Sequence, residues 1–246
     1  MIKLLTKSED YYRKKKDKIL KRFTFFLTSF KADLIKKIGK EETNKIINEF
    51  HQVYDSYLAK VPYIGGDKNI FSRNVAYSSP AIVFWKLLKT KGWSIDQFAP
   101  IYLHALKRFT RKEYAGLKGR IKGFFQRLII RKTTLKWLFK KYKKFSEKYP
   151  KSFIFIFVSD KGEDFDFGYN VLRCTIVEFG KLIDATEILP YICMYDWYRA
   201  YYSKSGLRRS QTLAEGDDYC DYRFKKGAAP KNLQKTQIPE PLKPGR

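Results

Sequence analysis

Three scarcities limit what this 246-residue chain can be. It contains two histidines and three cysteines, Cys174, Cys193 and Cys220. Three unevenly placed thiols are too few for a disulfide scaffold, so they favour reduced cysteines in a cytosolic compartment. No apolar run approaches the roughly 18 residues of a membrane span, and the first residues lack the apolar segment of a signal peptide. These absences predict a soluble, cytoplasmic protein.

Acidic residues are also scarce, with 25 Asp and Glu against 51 Lys and Arg and a net charge of +26. The excess is concentrated between Lys107 and Lys148, where sixteen basic residues meet only two acids and aromatic residues lie between them. This pattern is typical of a surface for nucleic acid or an anionic membrane. The helical spacing of the apolar residues and the absence of a recognised binding motif favour instead amphipathic helices whose solvated faces are basic. Both interpretations predict some non-specific contact with polyanions through residues 107–148.

The chain changes character near Pro150. Before it, apolar residues recur at helical spacing, and His104 falls among them as a core histidine. After it, Ser152–Val158 is almost continuously apolar, which predicts a central strand, and Phe165–Leu172 alternates as a second strand. We therefore predict an α+β fold, with a helical N-terminal layer followed by an antiparallel sheet of about four strands with packed helices.

The domain organisation follows from the same change. Residues 1–226 are predicted to form a single domain, with a mainly helical half over 1–150 and a sheet-containing half over 151–226. Residues 227–246 are basic and proline-rich, which predicts a flexible, solvated tail that packs against no core.

The most informative stretch is a predicted hairpin near the C-terminus. Leu207–Leu213 and Tyr219–Lys225 alternate in polarity around a turn at 215–218. In this register Leu213 faces Cys220 and Arg209 faces Phe224. Because side chains alternate across a strand, one face carries Arg209, Gln211, Leu213, Cys220, Tyr222 and Phe224, and the other carries Arg208, Ser210, Thr212, Asp221, Arg223 and Lys225. The first face combines apolar bulk with a thiol, a guanidinium and an amide, which indicates a candidate site.

Three spaced motifs lie in this half of the chain. They read Asn170-Val171-x-x-Cys174-x-x-x-Glu178, Cys193-x-x-Asp196 and Arg209-x-x-Thr212-x-x-Glu215-Gly216-x-x-x-Cys220-Asp221-Tyr222-Arg223-Phe224. Together they resemble the L-2-amino-thiazoline-4-carboxylic acid hydrolase family, and the likeness extends over residues 62–224. The resemblance implies a hydrolase that opens the ring of a 2-amino-thiazoline carboxylate on a route to cysteine.

The residue types suit the chemistry that this resemblance implies. A guanidinium is the natural partner of a substrate carboxylate, and Arg209 and Arg223 are the candidates. The cationic amidine and the proton transfers need acids, for which we select Asp196, Glu215 and Asp221. Thr212, Asn170 and Glu178 complete the predicted substrate-binding set. Cys220 is the candidate nucleophile, provided that a neighbouring cation such as Arg209 lowers the pKa of its thiol.

The cysteines have two other interpretations. No cofactor is expected, but Cys174, Cys193 and Cys220 with an acid could form a zinc site that activates water. The thiols could also simply fill space in the core. A function of a different class stays open as well: the same outline is similar to the 4-vinyl reductase type of domain, which binds small molecules without catalysis.

Overall fold

A computed structural model describes residues 6–160 and 163–243, and it confirms the α+β class. The helices are α1 (Lys7–Ile38), α2 (Lys40–Tyr57), α3 (Ser72–Thr90), α4 (Ile95–Glu113), α5 (Gly116–Ile129), α6 (Lys132–Lys148), α7 (Thr175–Leu182) and α8 (Leu189–Ser203). The strands are β1 (Ile154–Ser159), β2 (Phe167–Arg173), β3 (Leu207–Arg209), β4 (Cys220–Phe224) and β5 (Lys231–Asn232). Within the described residues, none of the helices combines the length and the apolar character needed to cross a membrane.

The chain divides into two compact units. The first comprises residues 1–105 and 175–189, and the second comprises residues 106–174 and 190–246. The assignment of residues 1–226 to a single domain remains a prediction.

Aromatic side chains from three helices form the core of the first unit. Phe30 and Phe50, which come from α1 and α2, both contact Phe84 of α3, with ring centroids 5.6 and 5.3 Å apart. All three side chains are fully buried. Packing of this kind explains why the lysine-rich N-terminal half folds, because α1 and α2 each bury an apolar stripe against the largely buried α3.

In the first unit, one helix contains an internal proline and one sequence prediction is wrong. Helix α3 begins at Ser72 and contains Pro80 in its interior, because residues before the proline, including Val75 and Ser79, are buried and extend the packed face. His104 is not a core histidine: its side chain is 41% exposed, and its Nδ1 lies 2.8 Å from Oδ2 of Asp33.

The second unit contains a five-stranded sheet in the order β1-β2-β4-β3-β5. Its pairings are antiparallel, except that β3 and β5 run parallel. The prediction that the first strand is central is wrong, because β1 lies at an edge and Ile156 on it is 49% exposed. The opposite face of β1 packs against α6, where the rings of Phe155 and Phe139 are stacked with their centroids 4.9 Å apart. We call the face covered by α6 and α8 the inner face of the sheet and the opposite one the outer face.

The C-terminal hairpin forms, but its register differs from the predicted one by two residues. Leu207, not Arg209, lies opposite Phe224. A shift of two residues leaves every strand residue on its predicted face, because side chains alternate with a period of two. Strand β3 ends at Arg209, however, and the chain then leaves the sheet. Thr212 consequently turns inward and is fully buried, whereas Gln211, which was predicted on the inner face, is exposed.

The prediction of a solvated tail after residue 226 is wrong for the described part of that segment. Strand β5 pairs with β3, and Gln234 and Ile238 are 2% and 4% exposed. The main chain at Leu242 accepts a hydrogen bond of 2.7 Å from the Tyr198 hydroxyl of α8. The segment packs because β3 would otherwise present a free edge, which a further strand satisfies.

The glycine before β3 provides a test of this architecture. Gly206 has a φ of +65°, and a Cβ there would overlap the backbone carbonyl oxygen of Lys225, whereas Gly216 has a φ of +87° with open space around it. We expect Gly216→Ala to lower the free energy of unfolding by about 1–2 kcal/mol, the usual penalty of a left-handed alanine. Gly206→Ala should lower it by roughly 3 kcal/mol, because the clash is added. Urea unfolding of both variants checks the difference, and equal losses would contradict the close approach at Gly206.

Candidate functional site

A buried arginine organises the inner face of the sheet. Arg209, at the end of β3, is 2% exposed. Its Nη1 donates to Oδ2 of Asp196 at 3.2 Å and to the Tyr222 hydroxyl at 2.8 Å, and its Nη2 donates to the carbonyl of Cys193 at 2.7 Å. Nε and Nη2 both donate to Oε1 of Gln234, at 3.0 and 2.8 Å. Each of the five N–H groups of the guanidinium therefore has an acceptor within the protein.

This saturation changes the role expected of Arg209. The sequence suggested that it would bind a substrate carboxylate. A bidentate carboxylate needs two free N–H groups, and in this structure those groups are already engaged by the protein. The arrangement instead suits a guanidinium that holds other groups in place, since a buried charge must be paired and fully hydrogen-bonded to be tolerated.

The most important group that Arg209 holds is the carboxylate of Asp196 on α8. Its Oδ2 accepts from Arg209 and also from the Tyr222 hydroxyl, at 2.6 Å. The pKa of Tyr222 is raised well above its usual value by burial and by the neighbouring Asp196 charge, so the phenol stays protonated as a donor. The Asp196 side chain is 33% exposed. Within the described residues its Oδ1 forms no hydrogen bond, which leaves that oxygen available to a ligand.

Two thiols lie beside this carboxylate, joined through one hydroxyl. The Thr212 hydroxyl is 3.9 Å from Sγ of Cys193 and 3.5 Å from Sγ of Cys220. The Leu213 backbone N–H donates to Sγ of Cys220 at 3.3 Å. Burial raises the pKa of Cys193 to about 12 and also raises that of Cys220, although the nearby Arg209 acts in the opposite direction. The expectation that Arg209 would yield a thiolate at Cys220 is therefore wrong, because desolvation outweighs the cation.

The loop between β3 and β4 fixes the position of Thr212. The chain forms a single 3₁₀ turn over Leu213–Glu215 and ends it at Gly216, whose positive φ of 87° few other residues adopt. Asp217 accepts from the backbone N–H of Thr212 at 2.8 Å. This bond and the ammonium of Lys235 lower the pKa of the Asp217 carboxyl. The side chain of Asp217 thus bonds back to the start of the loop at Thr212 and holds the loop closed.

Glu215, predicted as a catalytic acid, serves the same loop. Its carboxylate accepts from the backbone N–H groups of Lys235 and Thr236, at 3.1 and 2.5 Å. These bonds fasten the C-terminal segment against the loop, and they place Gln234 next to Arg209. Glu215 therefore acts structurally in this geometry.

Three other predicted site residues lie on the outer face. Asp221 accepts from the hydroxyl and the backbone N–H of Ser210, at 2.6 and 2.8 Å, and so joins the strand to the loop. Arg223 donates to Oδ1 of Asn170 at 2.9 Å across the neighbouring strand. An open cavity of about 220 Å³ lies on this face, lined by Glu163, Asp164, Phe165, Arg208, Arg209, Ser210, Asp221, Arg223 and Leu233. The predicted set is consequently split between the two faces of the sheet.

The remaining two predicted residues lie at or just before α7, not on α8 or the hairpin. Cys174 lies between β2 and α7, and Glu178 lies on α7, which belongs to the first unit. Within residues 6–160 and 163–243, no three His, Cys, Asp or Glu side chains are arranged to hold a metal ion. The ligand set Cys174, Cys193 and Cys220 does not fit a zinc site in this geometry.

Sequence reasoning missed Gln234 and Asp217 and gave Tyr222 no chemical role. Gln234 carried no signal, because it lies in a segment whose composition suggested a tail. Asp217 was recognised only as a turn residue. The alternation of side chains placed Tyr222 on the correct face. A hydroxyl on the same face as Arg209 was the signal that could have indicated a hydrogen-bonding role.

Comparisons with known proteins address the part of the chain that holds this cluster. A family model described as L-2-amino-thiazoline-4-carboxylic acid hydrolase matches residues 90–224, more than half of the chain. The matched range includes α8 and both strands of the C-terminal hairpin. Comparisons with curated proteins and with solved structures gave no match.

Arg209 and its less buried neighbour Arg208, at the end of β3, form a matched pair for testing the cluster. We expect Arg209→Met to lower the free energy of unfolding by about 3–5 kcal/mol, because it leaves buried acceptors unpaired. Arg208→Met removes a side chain that is 22% exposed and pairs with Asp164, itself 63% exposed, so a loss of roughly 0–1 kcal/mol is expected. Chemical unfolding monitored by tryptophan fluorescence provides the measurement. Similar small losses in both variants would contradict the central position of Arg209.

Proposed function

Because the chain belongs to the L-2-amino-thiazoline-4-carboxylic acid hydrolase family, we propose that it is a hydrolase that opens a small heterocycle with an amidine-like carbon. One observation supports this proposal most directly. Arg209 and Tyr222, two residues of the third motif, both bond to Asp196 of the second motif. The motif residues thus converge on a single accessible carboxylate.

In the proposed reaction, Asp196 is the proton acceptor. Arg209 and Tyr222 fix one of its oxygens, and the other oxygen faces the substrate. A water molecule attacks the carbon that is bonded to the ring sulfur and two nitrogens, and it passes a proton to Asp196. The tetrahedral adduct then breaks its carbon–sulfur or carbon–nitrogen ring bond, and the proton returns to the departing atom. The product is a carbamoyl compound with a free thiol or amine.

The carboxylate also suits the charge of such a substrate. A protonated cyclic amidine is a planar cation with N–H groups, and a carboxylate is its natural hydrogen-bonding partner. Preorganisation by a buried arginine keeps the Asp196 carboxylate in one orientation before the substrate arrives, which is the usual way in which a protein lowers the reorganisation needed for reaction.

The two thiols have no nucleophilic step in this proposal. Burial raises the pKa of both Cys193 and Cys220, so both are protonated at neutral pH, and a thiol is a far weaker nucleophile than a thiolate. They line the cluster next to Asp196 and exclude water from its inner side.

For the substrate carboxylate we propose Arg199. It lies three residues after Asp196 on α8, so that both side chains project from the same side of the helix. It bonds to Tyr114, and its guanidinium lies 5.4 Å from the ring centroid of Tyr195. Arg223 is on the outer face, and a substrate of this size cannot contact Asp196 and Arg223 across the sheet.

A pair of substitutions tests the proton acceptor against the thiol. We expect Asp196→Asn to lower kcat/KM for 2-amino-thiazoline-4-carboxylate by about 10²–10⁴-fold, the usual contribution of a general base. Cys220→Ser should stay within about threefold of the wild type, since a protonated thiol takes no covalent part. Product release by the purified proteins is measured alongside unfolding curves, because Asp196→Asn also weakens the pairing of Arg209. Asp196→Glu, which keeps the charge, should recover part of the activity.

The reverse result would overturn this mechanism. Loss of turnover in folded Cys220→Ser, with activity retained in Asp196→Asn, would indicate covalent catalysis. Binding of the compound without any turnover by the wild type would favour a non-catalytic binding domain.

A second pair locates the substrate carboxylate. We expect Arg199→Gln to raise KM by roughly 10-fold or more, because it removes a charge-assisted pair with the carboxylate. Arg223→Gln is the matched control, because it removes an arginine from the outer face, and it should leave KM unchanged. Steady-state kinetics with the carboxylate and with its uncharged amide give the measurement. A raised KM for Arg223→Gln alone would move the binding site to the outer cavity.

A further inference from the structure

Helix α5 has its polarity reversed relative to an ordinary surface helix. Four of its large apolar side chains are exposed: Leu117 by 74%, Ile121 by 47%, Phe124 by 51% and Phe125 by 57%. They recur at intervals of three and four residues and so form one stripe. Among the side chains of this helix that the structure describes, the buried ones are Gly119, Gly123 and Gln126, and Leu128 is partly buried.

The glycines explain how the helix can lie this way round. A Cβ at Gly119 would overlap the backbone of Tyr114, and one at Gly123 would lie 3.6 Å from Cα of Ser203 in α8. Helix α5 therefore places its bare backbone at Gly119 and Gly123 against other parts of the second unit, the end of α4 and α8. Leu117, Ile121, Phe124 and Phe125 instead project into solvent.

Many of the exposed apolar side chains lie in one stretch of the sequence. Ten large apolar side chains are exposed within the described residues, and five of them lie between residues 117 and 137. The fifth is Trp137 of α6, which is 60% exposed, with the ammonium of Lys141 lying 5.1 Å from its ring centroid. The four exposed side chains of α5 form an apolar stripe on one helix, and an exposed stripe of this kind marks an interaction site.

The same two helices carry a strong positive charge. Residues 116–148 contain twelve Lys or Arg and a single acid, Glu147. All twelve basic residues are exposed. The solvated-helix interpretation of this basic stretch accounts for the lysines, but it fails for α5 because the apolar face of that helix is not buried.

We propose that α5 and α6 dock the protein on the surface of an anionic phospholipid bilayer. The side chains of Leu117, Ile121, Phe124 and Phe125 enter the boundary between headgroups and acyl chains, while the surrounding lysines and arginines contact the lipid phosphates. An amphipathic helix with a basic border is the ordinary device for such binding, which needs no membrane span.

Charge complementarity selects this occupant over the others. A second copy of the chain would bring an equally positive face into contact, which like-charge repulsion opposes. A nucleic acid would pair with the basic residues and stack on aromatic rings, but it would leave the aliphatic Leu117 and Ile121 in water. A lipid surface satisfies both the charge and the aliphatic side chains.

Co-sedimentation of the full-length protein with lipid vesicles tests the proposal, and it requires no enzymatic activity. We expect binding to phosphatidylcholine vesicles containing about one third phosphatidylserine and little binding to pure phosphatidylcholine. The double variant Phe124→Ser with Phe125→Ser should lower the partition coefficient at least about tenfold. The pair Lys118→Gln with Arg120→Gln should lower it too, as should high salt. Leu233→Ser, which changes a side chain exposed by 58% elsewhere, is the matched control and should bind like the wild type.

Several outcomes would overturn the proposal. The first is absence of binding to anionic vesicles, and the second is equal binding to neutral ones. Binding that depends on the charges but not on Phe124 and Phe125 would indicate plain adhesion to polyanions. Tighter binding to RNA, lost in the same apolar variant, would assign the surface to nucleic acid. A dimer in solution that the apolar variant abolishes would assign it to a second copy.

Discussion

The structure of the second unit depends on the burial of one guanidinium. An arginine removed from water is tolerated only if each of its N–H groups finds an acceptor. The acceptors of Arg209 come from helix α8, from strand β4 and from Gln234 in the C-terminal segment. Three parts of the chain that are separate in sequence must therefore meet at one point. The requirement also explains why the C-terminal segment packs against β3, since without Gln234 two N–H groups of a buried cation would lack a partner.

The sheet divides the polar residues of the C-terminal motif into two groups with different tasks. On the inner face, Arg209 and Tyr222 hold the carboxylate of Asp196. On the outer face, the bonds of Asp221 to Ser210 and of Arg223 to Asn170 join neighbouring parts of the sheet. Because adjacent residues of a strand point in opposite directions, the consecutive residues Asp221, Tyr222 and Arg223 cannot act on the same small molecule. The residues that act on one substrate must therefore lie on one face of the sheet. On the inner face, a buried cation holds an acidic side chain in place.

The strengths and failures of the sequence predictions have the same physical origin. Alternation gave the faces of the hairpin correctly even though the register was wrong by two residues, because a shift of two preserves the face. The end of β3 at Arg209 could not be predicted in this way, so Thr212 was placed outside and Gln211 inside. The continuous apolar run of β1 suggested a central strand, but β1 lies at the sheet edge, with one face packed on α6 and the other only partly covered. The role of Gln234 could not be predicted, because amino-acid composition describes only the local segment. It does not show that a buried arginine far away in the sequence needs a hydrogen-bond acceptor.

Most residues of the third motif have structural roles, and they support the residues of the proposed reaction. Glu215 fastens the C-terminal segment, Gly216 permits the turn, and Thr212 links two protonated thiols. These residues are specific because each satisfies a buried polar group or an unusual backbone angle, and substitution would disturb the fold before it disturbed any reaction. The pKa of the thiols illustrates the point. Arg209 lies close enough to lower it, yet the burial that allows Arg209 to order the site raises it further. The same desolvation that makes the arginine an effective positioning residue therefore keeps the cysteines protonated.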